Sequence, residues 1–288
     1  MTHPNSRSFR RAILPLLGIA LALFTGNLPA QEKSPAPRTL QSGGRERTYH
    51  LHMPGSLDQT KPAPVLLVFH GAGGNGLSDL GAYRWLADRH GFLLVGPDGV
   101  NKRWNAGNSD EIKATDKVDD VTFVRDLLKA IATEHKVDTN RLYAAGFSNG
   151  AVLCHRLAAE MPDVFAAVAG AGATMSKVTQ PLLKPGASVA VQIMVGTEDG
   201  MFGRKSDLLG GTFLTAAESA NVWAKHNGCA EPVKHDAPAP FTRWPAKAPA
   251  TAEVELWIVE GVGHTPSLGG KTWSAAEQQW KFLSRHAK

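Results

Sequence analysis

The sequence contains the stretch Ala144-Ala145-Gly146-Phe147-Ser148-Asn149-Gly150-Ala151, which lies between an apolar run and a segment of helix length. A strand that turns at once into a helix forces the residue at the turn into a strained backbone, and glycine on both sides leaves the room that this turn needs. The pattern predicts that Ser148 presents its hydroxyl at the carboxyl end of a strand, above the N-terminus of a helix. It is typical of a nucleophilic serine.

Apolar runs of about five residues alternate with longer amphipathic segments on both sides of this turn. The runs cover residues 65–69, 92–95, 141–147, 165–169, 189–195 and 254–259. Fully apolar runs separated by helix-length segments indicate a mostly parallel sheet covered by helices on both faces. The sequence therefore predicts an α/β fold, with a long loop at residues 230–252.

A serine nucleophile needs a base and an acid that orients the base, and after such a turn they follow in the order serine, acid, histidine. The run at 189–195 leads into a loop with Glu198 and Asp199, and the run at 254–259 leads into a glycine-rich loop with His264. Both loops follow the carboxyl end of a strand, where Ser148 is expected. We predict a triad of Ser148, Asp199 and His264, with Asp199 favoured over Glu198.

Acyl transfer also needs hydrogen-bond donors for the developing oxyanion. Residues 68–76 give a strand end and then a loop that has almost no side chains, so its backbone N–H groups can approach a substrate. The N–H groups of Ala72 and Asn149 are the predicted pair. His70 is interpreted as a residue that shapes this loop.

The same loop supports a different hypothesis. Residues 71–76 match the Gly-x-Gly-x-x-Gly dinucleotide fingerprint, and Asp98 follows about 20 residues later. Alone, this would indicate an NAD-dependent oxidoreductase. That interpretation leaves the serine turn, Asp199 and His264 unexplained.

Two weaker patterns remain. Trp104 follows the Pro97-Asp98-Gly99 turn at the expected active edge, where it could line a substrate pocket or pack inside the protein, and we take it as the candidate substrate-binding residue. His50 and His52 share one face of a strand, which suggests either a metal site or an exposed edge strand. Without a third ligand at a telling spacing, no metal is predicted.

The N-terminus resembles an export signal. Residues 1–11 carry three arginines and no acid, and an apolar stretch of 13 residues follows at 12–24. This layout is typical of a secretory signal peptide and is shorter than the roughly 20 residues of a membrane span. We expect a signal peptide at 1–30, a flexible segment at 31–45 and one domain at 46–288, secreted or periplasmic and without stable membrane insertion.

Composition limits the remaining function classes. The chain of 288 residues is 43% hydrophobic and 20% charged, which excludes a disordered or fibrous protein. Its net charge is +5, and removing the three leader arginines leaves +2 for residues 31–288, so a nucleic-acid partner is not expected. Cys154 and Cys229 could form a disulfide after export or remain separate thiols.

Several segments together resemble the α/β-hydrolase esterases of the polyhydroxybutyrate depolymerase and feruloyl or acetylxylan esterase group. The matching segments are residues 70–74, 97–99, 104–105, 118–121, 146–150, 196–199, 223, 227–229 and 261–265. The resemblance implies an α/β-hydrolase fold and a serine esterase that needs no cofactor. It implies Ser148, Asp199 and His264 as the triad and a small or oligomeric ester as substrate, with a catalytically idle binding protein as the alternative.

Overall fold

One β-sheet carries the candidate site residues. The computed structural model describes residues 36–107, 118–202, 212–249, 251–265 and 273–288. Its strands are β1 (Arg38–Ser42), β2 (Arg45–His52), β3 (Ala63–Phe69), β4 (Leu93–Pro97), β5 (Val137–Phe147), β6 (Ala167–Ala171), β7 (Ala190–Gly196), β8 (Val233–His235), β9 (Phe241–Trp244) and β10 (Val254–Val259). The sheet order is β1-β2-β4-β3-β5-β6-β7-β10-β9-β8. The helices of the described residues are α1 (Gly81–His90), α2 (Asp120–Glu134), α3 (Asn149–Glu160), α4 (Ala216–Asn227) and α5 (Ala275–Leu283).

The six central strands, from β4 to β10, run parallel, whereas the strands outside them pair antiparallel. Every residue of β3 and β7 is buried, because helices cover both faces of the sheet there. Parallel strands bring their carboxyl ends to one edge. That edge carries the loops after β3, β5, β7 and β10.

The two helical layers explain the continuous apolar runs in the sequence. Successive residues of β3 point to opposite faces: Val65, Leu67 and Phe69 pack in a cluster with residues of α2, α3 and α4. Leu66 and Val68 pack on the other face with residues of α1 and α5. The predicted α/β-hydrolase fold, with helices on both faces of a mostly parallel sheet, is confirmed.

Local signals fix where the helices begin and end. Asp119 caps α2 by accepting from the Thr122 N–H at 2.9 Å. Thr215 and Glu218 form a capping box at the start of α4, and Gly228 ends that helix with a φ of 65°. These residues give the helices their boundaries independently of tertiary packing.

The structure differs from the sequence predictions at the margins of the sheet. Residues 38–42 form β1, so the prediction of a flexible segment at 31–45 is wrong over that part, and residues 31–35 lie outside the described residues. The predicted loop at 230–252 contains two short strands, β8 at the edge of the sheet and β9 beside it. The proposed signal peptide also lies outside the described residues.

The strand that carries the two histidines is not at the edge. β2 lies between β1 and β4, and His50 and His52 are both buried. His52 Nε2 lies 2.7 Å from Asp88 Oδ1, and His50 Nε2 lies 3.7 Å from Asp98 Oδ2. The expectation of an exposed edge strand is therefore wrong, because β2 is an interior strand and both imidazoles are buried. The described residues hold no cluster of three metal-binding side chains.

Two further predictions concern thiols and membranes. Cys154 is buried in α3 and Cys229 is half-buried after α4, and both are free thiols rather than a disulfide. Burial raises the pKa of the Cys229 thiol to about 11. Among the described residues, none of the helices has the length and apolar character to cross a bilayer.

Candidate active site

The turn between β5 and α3 consists of a single residue. Ser148 has φ 50° and ψ −117°, a conformation that costs a non-glycine residue about 1–3 kcal/mol. Its N–H donates to the Ala171 carbonyl at 2.8 Å, which anchors the turn to the end of β6. Ser148 thus stands at the carboxyl edge of the sheet, as the sequence predicts.

The glycines on either side of Ser148 are required by close backbone approach. A Cβ on Gly146 would lie 2.5 Å from the Gly150 carbonyl, and a Cβ on Gly150 would lie 2.1 Å from the Phe69 carbonyl oxygen. Real Cβ atoms do not approach backbone this closely. The turn therefore depends on Gly146 for its approach to α3 and on Gly150 for its packing against β3.

The structure brings the three predicted triad residues together. His264 Nε2 lies 2.9 Å from Ser148 Oγ, and His264 Nδ1 lies 2.9 Å from Asp199 Oδ2. Because an ionised carboxylate can only accept, Nδ1 carries the proton and Nε2 accepts from the serine hydroxyl. The imidazole is thereby held in the tautomer in which a base can activate Ser148.

The two adjacent acids have different environments. The Asp199 side chain is fully buried, and its Oδ1 accepts from the N–H groups of Met201 and Phe202 at 2.8 Å and 3.1 Å. Glu198 is exposed, and its N–H donates to the Val262 carbonyl at 3.0 Å. Asp199 is therefore the acid that faces the histidine.

Close contact between two loops sets the distance from Asp199 to His264. A Cβ on Gly196 would lie 2.0 Å from the Val262 carbonyl oxygen, so the end of β7 lies directly against the histidine loop. The rings of Phe147 and Phe202 lie 5.2 Å and 6.0 Å from the imidazole. Sequence reasoning missed both phenylalanines, although Phe147 belongs to the quoted stretch.

The two proposed oxyanion donors lie on either side of Ser148. Asn149 is the first residue of α3, so its N–H has no partner within the helix. On the other side, a Cβ on Gly71 would lie 3.5 Å from Ser148 Cβ, which places the start of the glycine loop beside the nucleophile. Ala72 follows directly and is exposed. This arrangement can present two N–H groups to one oxyanion.

Comparison with known proteins shows that this chain is similar to esterases. Residues 47–180 match the family described as "Esterase PHB depolymerase". Feruloyl esterase B of Piromyces equi is 28% identical over 245 residues, which cover 78% of this chain and 44% of the relative. Feruloyl esterase D of Neurospora crassa is 23% identical over 86% of this chain and 84% of the relative.

This chain is therefore similar to esterases of this group. It spans less than half the length of the first curated relatives that it matches. The acetyl xylan esterase from Aspergillus awamori superposes with a TM-score of 0.62 at 15% identity, covering 86% of this chain and 99% of that one. A ferulic acid esterase from Anaeromyces mucronatus superposes with a TM-score of 0.55 at 14% identity, covering 89% and 92%. Both share the α/β-hydrolase fold.

One candidate site residue does not lie where the sequence predicts. Trp104 was predicted to bind substrate, but its side chain is only 1% exposed. The indole packs edge-on against the Phe69 ring at 5.2 Å, and its Nε1 donates to the His70 carbonyl at 2.9 Å. Trp104 therefore packs beneath the loops and does not line an open pocket.

His70 shapes the glycine loop, as interpreted from the sequence. Its Nδ1 donates to the Gly71 carbonyl at 2.7 Å, and its Nε2 accepts from the Gly99 N–H at 3.0 Å. Asp79 lies beside this pair. Burial raises the pKa of the Asp79 carboxyl, while His70 and a hydrogen bond from the Gly71 N–H oppose that shift.

The geometry gives the glycines after His70 a role other than holding a dinucleotide. Asp98 accepts from the Gly76 N–H at 2.7 Å and from Thr48 Oγ1 at 2.6 Å, so its carboxylate is already used by the loop and by β2. A Cβ on Gly76 would lie 2.1 Å from the Gly96 carbonyl oxygen. The fingerprint is therefore explained by packing of the loop against β4.

Proposed function

We propose that this protein is a serine esterase that hydrolyses carboxylic esters through an acyl-enzyme. The observation that carries the proposal is the pair of 2.9 Å contacts that links Ser148 Oγ, His264 and the buried Asp199 carboxylate. These contacts occur on a strained turn at the active edge of a fold shared with esterases. The chemistry assigned to each residue follows from its position.

In the acylation half-reaction, His264 Nε2 removes the Ser148 proton as Oγ attacks the ester carbonyl carbon. The carbonyl oxygen becomes an oxyanion and accepts from the N–H groups of Ala72 and Asn149. When the tetrahedral intermediate collapses, the carbon–oxygen bond to the alcohol breaks, and His264 returns the proton to the leaving oxygen. Asp199 remains ionised and stabilises the imidazolium.

Deacylation repeats these steps with water in place of the serine hydroxyl. His264 takes a proton from water, the hydroxide attacks the acyl carbon, and Ser148 leaves with the proton from His264. Every step uses side chains and backbone groups of this chain, and no metal or cofactor is invoked.

The substrate class is proposed from the relatives. Their names refer to feruloyl, acetyl xylan and polyhydroxybutyrate esters. We propose a small or oligomeric ester carrying an acetyl, hydroxycinnamoyl or hydroxyalkanoate acyl group.

Export is part of the proposal and is supported by the arginines and apolar stretch of residues 1–30. N-terminal sequencing of the protein recovered from the periplasm or medium should find a start near Gln31. Recovery of only uncleaved protein in the cell would contradict export.

Covalent labelling and turnover test the esterase. A fluorophosphonate probe should modify Ser148, and Ser148→Ala should lower kcat at least about 10⁴-fold with an unchanged circular dichroism spectrum. A panel of acetyl, butyryl, feruloyl and oligo-hydroxybutyrate esters then ranks the acyl groups. Labelling of another serine would contradict the nucleophile. A folded wild-type protein without turnover on any ester would favour an idle binding protein.

A further inference from the structure

We propose that Trp104 is a positioning residue that holds the two oxyanion donors at a fixed separation. The inference rests on the proposed function, because it concerns the same oxyanion. Because the indole is buried, it cannot bind substrate, and the proposal assigns it a positioning role instead. Its support is a continuous path of hydrogen bonds between the two donors.

The first half of the path fixes the Ala72 N–H. The Gly71 carbonyl accepts from His70 Nδ1 at 2.7 Å and from the Gly74 N–H at 3.0 Å. This carbonyl and the Ala72 N–H belong to one planar peptide and point in opposite directions. Because the Gly71 carbonyl points toward the His70 ring, the Ala72 N–H points away from that ring.

The second half fixes Asn149. Its side-chain Oδ1 accepts from the Trp104 N–H at 2.7 Å, and its Nδ2 donates to the Trp104 carbonyl at 3.3 Å. These two bonds tie the first residue of α3 to the backbone of Trp104. The Asn149 N–H is left to face the substrate.

The Trp104 indole joins the halves. Its Nε1 donates to the His70 carbonyl at 2.9 Å, while the Trp104 backbone bonds the Asn149 amide. The indole stacks at a tilt on the His70 ring, with centroids 4.9 Å apart. One residue thus contacts both the loop that carries Ala72 and the helix that carries Asn149.

A buried ion pair anchors Asn105, the residue that follows Trp104. The Asn105 N–H donates to Asp120 Oδ2 at 2.6 Å, and Asp120 Oδ1 accepts from Arg47 Nη2 at 2.8 Å. Arg47 and Asp120 are 4% and 0% exposed, so this pair is shielded from water. The Trp104 backbone is therefore anchored independently of its indole, and the indole hydrogen bond can be removed by itself.

The test is Trp104→Phe, which keeps an aromatic ring but removes the indole N–H. Because the donors would be loosened rather than removed, kcat should fall roughly 10-fold, less than the 10²–10³-fold cost of deleting a donor. KM for a soluble ester should stay within about twofold. Affinity for a trifluoromethyl ketone, whose serine adduct carries an oxyanion, should fall by a factor similar to that for kcat.

Trp223→Phe is the matched control. Trp223 is also fully buried and donates its indole N–H to a histidine, His155 Nδ1, at 2.9 Å, but it lies on α4. This variant should lose stability without losing kcat or ketone affinity at a temperature where it is folded. An equal loss of kcat in both variants would indicate general loosening and would overturn the proposal.

Asn149→Ala is a second test of the positioning role, for use if Trp104→Phe does not fold. It removes both side-chain bonds to Trp104 and keeps the Asn149 backbone N–H, so kcat and ketone affinity should again fall together. Wild-type values of both in a folded variant would overturn the positioning role while leaving the esterase intact. Absence of turnover in the wild-type protein would instead overturn the proposed function itself.

Discussion

The carboxyl groups of Asp199 and Glu198 are adjacent in the chain and lie in opposite environments. Asp199 is buried, accepts two backbone N–H groups and faces His264, whereas Glu198 is exposed. The side chain of a buried and fully bonded acid has a single orientation, which is what the orientation of an imidazole requires.

This difference predicts unequal effects of removing each charge. Asp199→Asn should lower kcat about 10³- to 10⁴-fold, because an amide that donates to Nδ1 favours the wrong imidazole tautomer. Glu198→Gln should change kcat less than about threefold, since the side chain is exposed. Initial rates at saturating ester measure both. The reverse ranking would assign the acid to Glu198.

The sequence was sufficient to predict the order and the edge position of Ser148, Asp199 and His264, because each follows an apolar run. Its prediction for Trp104 was wrong, although the same reasoning placed it on the correct edge. Burial of that indole depends on Phe69 and His70, which lie 35 and 34 positions earlier in the chain. A single sequence does not show which residues become neighbours in the folded protein.

At the scale of elements, the turn from β5 into α3 depends on backbone contacts that exclude a side chain. Gly150, in the first turn of α3, approaches the Phe69 carbonyl. Gly81, the first residue of α1, has nothing within 4 Å of where its Cβ would be. The two glycines occupy similar helical positions but differ in the space around them.

Substitution by alanine should separate the two positions. Gly150→Ala should destabilise the fold by about 3 kcal/mol or more, because the new methyl would displace β3 or the turn. Gly81→Ala should change stability by less than about 1 kcal/mol, in the stabilising direction. Urea unfolding monitored by fluorescence measures both. Equal stability of the two variants would contradict the close approach at Gly150.

Elements with buried faces were predicted well, and elements without them were missed. β10 is found at its predicted residues, 254–259, and five of its six residues are buried. By contrast, β1 has one buried residue in five and β8 has none in three. Edge strands of this kind are held by backbone pairing, which leaves little apolar periodicity in the sequence.

For the molecule as a whole, a cluster of charges ties the C-terminal segment to the sheet, at the edge opposite the candidate active site. Arg285 Nη2 lies 2.6 Å from both Glu253 and Glu255, and His286 Nε2 lies 3.0 Å from Glu253. Burial alone would raise the pKa of Glu253, but the His286 hydrogen bond and the Arg285 charge outweigh burial and hold that pKa at about 2.

The lowered pKa of Glu253 makes stability depend on pH in a defined direction. The Glu253 carboxyl takes up a proton near its ordinary pKa of 4.5 in the unfolded chain and near 2 in the folded chain, so the contribution is complete above about 4.5 and is lost as the pH falls toward 2. It amounts to about 3 kcal/mol at most. Glu253→Gln should be destabilised most at neutral pH and should approach the wild type near pH 2.

Urea unfolding at several pH values between 2 and 7 measures this difference, with Glu231→Gln as the control because Glu231 is exposed. The control should follow the wild type at every pH. A difference between Glu253→Gln and the wild type that stays constant over this range would contradict the role of the Glu253 charge. The kcat of a folded Glu253→Gln variant should be unchanged, since the cluster lies at the opposite edge.

The triad joins residues that are far apart along the chain. Ser148 and His264 are separated by 116 positions, and Asp199 and His264 by 65. His264 follows β10, which enters the sheet between β7 and β9 although β8 and β9 precede it in sequence. During folding, the chain must therefore close large loops and insert β10 before Ser148 meets its base, and that closure costs entropy that local helix formation does not. Catalytic competence therefore arises only after β10 has paired with β7, which brings His264 to Asp199 and Ser148.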